Sequence, residues 1–380
     1  MAVKLLSTLK RKTLKKTVEP IKKDMHQSTQ KYAHAQQIGA IDPRYTHSRL
    51  VFHPSFNDTI AEIRKLKIRL PSNPLDLDMD FNAFDFPQNG KFVSKVEEIR
   101  RIKLDSHKGE EVCSCTSICA YDESVNKFQG LEGTGYLTSH SLILHGEHDF
   151  IPVNLLTFYF YTRSRFLCQN SKFVKYSEDP ETDSKKDYVI DRKTLLVNNV
   201  PENSIVFVDG PLIGRQMSSY TVELNDLLLK KEAIPIFFVK NSNSNMVTDN
   251  VKELRGKYNS DMHWAYSYLK VGERTNFFPY RDESNPRFAK IFCYLKAFDV
   301  SPHRIEIDVK TFEKYQNELK ALFDVIYYLL LAQGDPKNPQ IRPIAIAEKY
   351  ARSTLNLINF VHMMKELGII PTINQERFAW

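Results

Sequence analysis

The 380-residue sequence predicts an α/β protein with a mixed sheet flanked by helices, and three observations carry that prediction. Three strand-like runs follow one another closely after residue 110. A β-branched and aromatic run, Val206-Phe207-Val208, then ends in Asp209-Gly210. Beyond it, helical and strand-like segments alternate, and two long amphipathic helices close the chain.

The first run is Val112 to Asp122, the second Gly135 to Leu144 and the third Phe150 to Tyr159. Their spacing and turn residues predict antiparallel neighbours. Residues 170–187 are charged and read as a loop, and residues 187–200 as a short helix. Next come the Asp209 strand, a helical connector over 218–231 and a second buried strand, Ile234 to Val239, which ends in Lys240. Residues 245–255 read as another helical connector. His303 to Ile307 is a strand with Arg304 and Glu306 on one side, best read as a structural pair. Residues 309–331 and 345–367 read as long helices.

Before these elements lie two stretches of different character. Residues 1–40 form a basic, helical arm: nine basic residues, from Lys4 to Lys31, stand against Glu19 and Asp24. That surplus equals the net charge of the whole chain, +7, so attraction to nucleic acid is expected to be strongest there. Residues 41–110 read as an extension packing on the core. Within it, Leu75 to Phe81 alternates apolar and acidic residues. It lacks the glycine and closing glutamate of a calcium loop, so it reads as an edge strand. The domain expected to carry the function is 111–380.

A hydrophobic content of 42% with 26% charged residues is that of a globular protein. No apolar run reaches the roughly 18 residues of a membrane span. The lysine-rich start does not resemble a secretory signal. The cysteines, Cys113, Cys115, Cys119, Cys168 and Cys293, are odd in number and form no Cys-x-x-Cys pair. Packing is their expected role, and a reducing cytoplasm the expected location.

Asp209 is the strongest candidate for chemistry. A carboxylate is costly to bury and is tolerated at an open strand end, where a cation or water can reach it. Gly210 lets the backbone turn there.

The order of motifs is informative. Asp209-Gly210-Pro211-Leu212 is followed by Val239-Lys240-Asn241-Ser242, then by Gly272-Glu273-Arg274-Thr275, by Arg304-Ile305-Glu306, and by a helix opened by Pro343. This series resembles the NurA nuclease family over roughly residues 113–370. The resemblance implies an RNase H-like sheet on which carboxylates hold two Mg²⁺ or Mn²⁺ ions for phosphodiester hydrolysis. It further implies DNA as substrate, a homodimer and a HerA-type hexameric DNA-translocating ATPase as partner. The implied settings are DNA end processing, as in repair, or antiviral defence against phage.

Carried over residue by residue, the resemblance makes Asp209 a metal ligand. It offers Asp122 or Glu132 as the first-motif carboxylate. Asp191, on the helix before the Asp209 strand, is the second acidic residue, with Asp187 and Glu181 as alternatives. In the last motif the histidine position holds Glu348 and the tyrosine position holds Gln340. Glutamate keeps an oxygen donor and loses the imidazole. Lys240 and Arg274 are the expected nucleic-acid contacts, although Glu273 and Arg274 read equally well as a structural pair. Phe158 to Tyr161, near Arg163 and Arg165, offer stacking surfaces for single-stranded bases. The alternative reading is a catalytically weak adaptor of the same fold that docks on the ATPase. A third is an RNase H-like domain acting on RNA.

Overall fold

A computed structural model describes residues 99–373, apart from 146–149, 169–172, 215–216, 283–284 and 286. The basic arm, the 75–81 run and most of the 41–110 extension lie outside the described residues.

One mixed sheet of eleven strands organises the described chain. Its centre is formed by β2 (Ser117–Gln129), β3 (Thr134–His145), β4 (Phe150–Thr162), β6 (Ser204–Asp209) and β7 (Ile234–Val239). The spatial order is β4-β3-β2-β6-β7. β2, β3 and β4 form an antiparallel meander, β6 pairs parallel with β2, and β7 parallel with β6. Three antiparallel strands continued by two parallel ones is the RNase H-like arrangement. Beyond β7 the sheet runs through β11 (His303–Asp308) and β10 (Ala289–Lys296) to β8 (Glu273–Thr275) and β1 (Arg101–Lys103). β9 (Phe278–Arg281) pairs with β10, and β5 (Val174–Tyr176) edges β4.

Because side chains alternate across a strand, each central strand feeds two cores. Ile118, Ala120, Ile205, Phe207, Ile236, Phe238 and Ile305 face one side. There they pack with α7 (Leu319–Gln333) and the start of α8 (Arg342–Asn356). Cys119, Tyr121, Val206, Val208 and Phe237 face the other, against α3 (Pro180–Asn199) and α4 (Ser218–Lys230). Burial on both faces explains why β6 reads as an unbroken apolar run. A third core surrounds Trp264 of α5 (Asp261–Tyr268), and a fourth lies under α9 (Phe360–Glu366).

Several elements differ from their sequence reading. Cys113 lies in a helix, α1 (Ser106–Ser114), and Cys115 follows its end. Asp105 caps this helix by accepting from the N–H groups of His107 and Lys108. Gly109 lets it lie against the backbone of α7 at Asp324. The charged stretch read as a loop starts α3, capped by Asp179 with Pro180 in the first turn. Residues 245–255 form turns, held by Asp261 accepting from the N–H groups of Val247 and Thr248. The long helix read over 309–331 is α6 (Val309–Lys314) followed by α7. The last helix likewise divides into α8 and α9, where Asn359 caps the second. A short α2 (Arg165–Cys168) follows β4.

Candidate active site

Strand parity assembles the site. On β2, Ile118 and Ala120 point to the α7 side, and Asp122 continues that face. On β6, Ile205 and Phe207 do the same, and Asp209 follows at the strand end. Tyr121 is in register with Val208, which sets Asp122 beside Asp209 across the β2–β6 pair. Gly210 then turns with φ +104° while its N–H donates to the Phe238 carbonyl at 2.8 Å. A side chain is strained at that φ, so glycine is required for the turn.

From β7, Lys240 reaches the same face. Its Nζ lies 2.8 Å from Asp209 Oδ2 and 3.8 Å from Glu348 Oε2. Glu348 comes from α8, whose Ile344, Ala347 and Ala351 are buried. Pro343 in its first turn starts that helix. Glu348 Oε2 also accepts from Gln340 Nε2 at 2.7 Å, and Oε1 accepts from Arg352 one turn along.

The electrostatics are those of crowded carboxylates. Asp122 is 5% exposed. Burial, then the charges of Asp209 and Glu123, push its carboxyl up to about 8 against the pull of Lys240. Burial also raises Glu123, with Arg192 opposing and Asp209 adding to the rise.

Glu123 is one residue that sequence reasoning passed over. It faces away from Asp122, beside Tyr121, Tyr188 and Arg192, and its Oε2 has no hydrogen-bond partner. His303 is another. Its Nε2 lies 2.9 Å from the Pro339 carbonyl, Nδ1 is unpartnered, and burial lowers its pKa. Only the register of β11 against β7 could have placed it near Lys240 and Asp209.

The remaining expected site residues lie elsewhere. Glu132 sits in the β2–β3 turn at the far end of the hairpin, accepting from Ile370 N–H at 3.0 Å. It lines an open cavity of ≈ 730 Å³ with Lys127, Tyr136 and Arg163. Asp191 accepts from Tyr159 Oη at 3.1 Å, and Asp187 meets Lys175 at 2.7 Å and accepts from Tyr161. These two carboxylates form a group on β4, β5 and α3. The structure thus sets Asp122 beside Asp209, and Lys240 between Asp209 and Glu348, and leaves Glu132 and Asp191 apart from them. Arg274 is 5% exposed, with its guanidinium 4.4 Å from the Phe277 ring centre and 4.7 Å from that of Phe323. A buried cation held between a partly buried ring and a fully buried one is not presented to a nucleic acid.

Among the described residues, no three His, Cys, Asp or Glu side chains stand close enough to hold a metal ion. The donor set nevertheless fits a hard divalent cation. It consists of oxygens, and the repulsion that raises Asp122 is what a cation between the two aspartates would relieve.

Comparison with known proteins gives one family match. Residues 189–353 match the NurA domain family, a segment that runs from α3 to α8 and contains Asp209, Lys240 and Glu348. The chain is similar to the NurA nuclease from Sulfolobus solfataricus at 10% identity, covering 87% of this chain and 99% of that one with a TM-score of 0.48. A NurA structure with manganese matches at 9% identity, 80% and 97% coverage and a TM-score of 0.31. Endonuclease V from Ciona intestinalis, in complex with a DNA containing inosine, matches at 12% identity, 64% and 87% coverage and a TM-score of 0.35. No curated protein matches the chain.

Proposed function

We propose that this protein is a divalent-metal-dependent DNA nuclease whose centre is the Asp122–Asp209 pair. The observation that carries the reading is the adjacency of two carboxylates on neighbouring parallel strands, one of them pushed up to about 8. Paired carboxylates at such a strand end, within a NurA domain, suit Mg²⁺ or Mn²⁺.

Asp122 and Asp209 would hold the ion, with Glu348 facing them from α8. Bound there, a divalent ion supplies charge stabilisation for the phosphate and an acidic water for attack. The chain's own residues do the rest. Lys240 offers a mobile point charge to a phosphate oxygen once it leaves Asp209. Gln340 orients Glu348 through its amide N–H. Asp122 holds a proton near neutral pH until a cation displaces it.

The wider proposal follows the family. DNA is the substrate, a HerA-type hexameric ATPase the partner and a homodimer the working form, in end processing or antiviral defence. The basic residues 1–40 would add binding, and 111–380 would form the nuclease domain. The adaptor reading gains from one observation: Lys240 already stands between Asp209 and Glu348. Mn²⁺ titration followed by electron paramagnetic resonance separates the two. The nuclease binds Mn²⁺, and Asp122→Asn weakens that binding at least about tenfold. No binding by wild type leaves the adaptor.

A further inference from the structure

The loops that leave the strands at Asp209 and Lys240 are tied to one buried pair on β11, the first to Glu306 and the second to its partner Arg304. Glu306 of β11 is 0% exposed. Its Oε2 accepts the N–H of Leu212 at 2.9 Å, three residues beyond Asp209. Its Oε1 accepts from Lys290 Nζ at 2.6 Å and from Arg304 Nε at 2.8 Å. Arg304 Nη1 passes the connection on, donating to Ser242 Oγ at 2.7 Å and Ser244 Oγ at 2.6 Å, just beyond Lys240. Burial opposes ionisation of Glu306, but Lys290 and Arg304 together hold its pKa below the usual range.

Arg304 and Glu306 face away from Ile305, and therefore away from the side that carries Asp209. The network grips both loops from behind the site. A buried ion network is a costly way to fill a core, since apolar replacements of equal volume often match or exceed its stability. What it adds here is a fixed link between two loops that the sheet alone leaves free.

We infer that Glu306 is a positioning residue that sets the Asp209–Lys240 pair by anchoring the loop after each. The functional part of this inference rests on the reading of Asp122 and Asp209 as a metal centre. Glu306→Asp keeps the charge opposite Lys290 and Arg304 but shortens the side chain by one methylene, so it no longer reaches Leu212 as well. Ser242→Ala with Ser244→Ala cuts only the link beyond Lys240.

The test is hydrogen exchange by mass spectrometry on the full metal-free chain, beside Mn²⁺ titration of the same samples. In Glu306→Asp, the amides of 210–214 and 242–248 should exchange about tenfold faster or more, while α7 and the core of β10 keep their protection. Mn²⁺ affinity should fall about tenfold. In the serine variant, only 242–248 should loosen, with a smaller fall in affinity. Unchanged loop exchange, uniform acceleration across the sheet, or loosened loops with unchanged Mn²⁺ affinity would each overturn the proposal. Should Glu306→Asp not fold, the serine variant decides, and retained protection there overturns it. Wild type that binds no Mn²⁺ defeats the metal reading alone, because the exchange pattern still reports the anchor.

Discussion

Lys240 Nζ stands 2.8 Å from Asp209 Oδ2, on the side from which Glu348 approaches. The lysine thus acts as a resident cation in a carboxylate cluster. A divalent ion that binds Asp209 must compete with it. Lys240→Met should therefore tighten Mn²⁺ binding, by about fivefold for a partly exposed pair worth roughly 1 kcal/mol. Isothermal titration calorimetry checks this. Equal or weaker binding in the variant would show that the ammonium is not a competitor.

Asp122 predicts an unusual pH dependence for the metal-free protein. Its carboxyl is raised from an ordinary 3.8 to about 8 in the fold. Between those values the unfolded chain has lost the proton and the folded chain keeps it. Stability should therefore fall as pH rises from about 4 towards 8, at up to roughly 1.4 kcal/mol per pH unit. Urea unfolding of wild type and Asp122→Asn over this range isolates the effect. The variant should lack the slope, and saturating Mn²⁺ should remove it from wild type. Parallel curves would place Asp122 outside the crowded cluster.

For Glu348 the structure supplies a sharper expectation than sequence did. The side chain is held by Gln340 and Arg352 and is only 23% exposed. Glu348→Gln should lower the rate of Mn²⁺-dependent cleavage and cost little stability. Glu348→His should retain part of the rate and shift metal preference towards softer ions. Metal-dependence curves for the three proteins that coincide would make Glu348 a helix-surface residue.

Arg274 gives the contrasting case. Arg274→Lys removes the planar stack between Phe277 and Phe323 and leaves a buried ammonium. Stability should drop by about 1–3 kcal/mol, while the affinity of the folded protein for DNA stays unchanged. Thermal melts and a filter-binding assay check the two halves. Weakened DNA binding with normal stability would restore Arg274 as a surface contact.

Much of the fold was legible in the sequence because its signals are local. The strands β3, β4, β6 and β7, and the Asp209-Gly210 ending, are marked by short apolar runs and turn residues. What was not legible depended on contacts between distant segments. The helix at Cys113 is stabilised by close packing of Gly109 on α7, which no local pattern encodes. That Asp122 lies beside Asp209 while Glu132 lies at the far end of the hairpin depends on the β2–β6 register. Asp191 has the right sequence spacing, but it sits by Tyr159 on the β4 side of α3. Glu123, next to Asp122, carries no motif of its own, and alternation sends it to the opposite face.

On the proposed function, Asp209, paired with Asp122, holds the ion for DNA cleavage. The most direct test is Mn²⁺-dependent cleavage of matched DNA and RNA by wild type and Asp209→Asn, with circular dichroism to establish that both are folded. Wild type should cleave DNA in a metal-dependent way, and the variant should lose at least about 100-fold, since one ligand charge is removed while shape is kept. Undiminished cleavage by folded Asp209→Asn would contradict it.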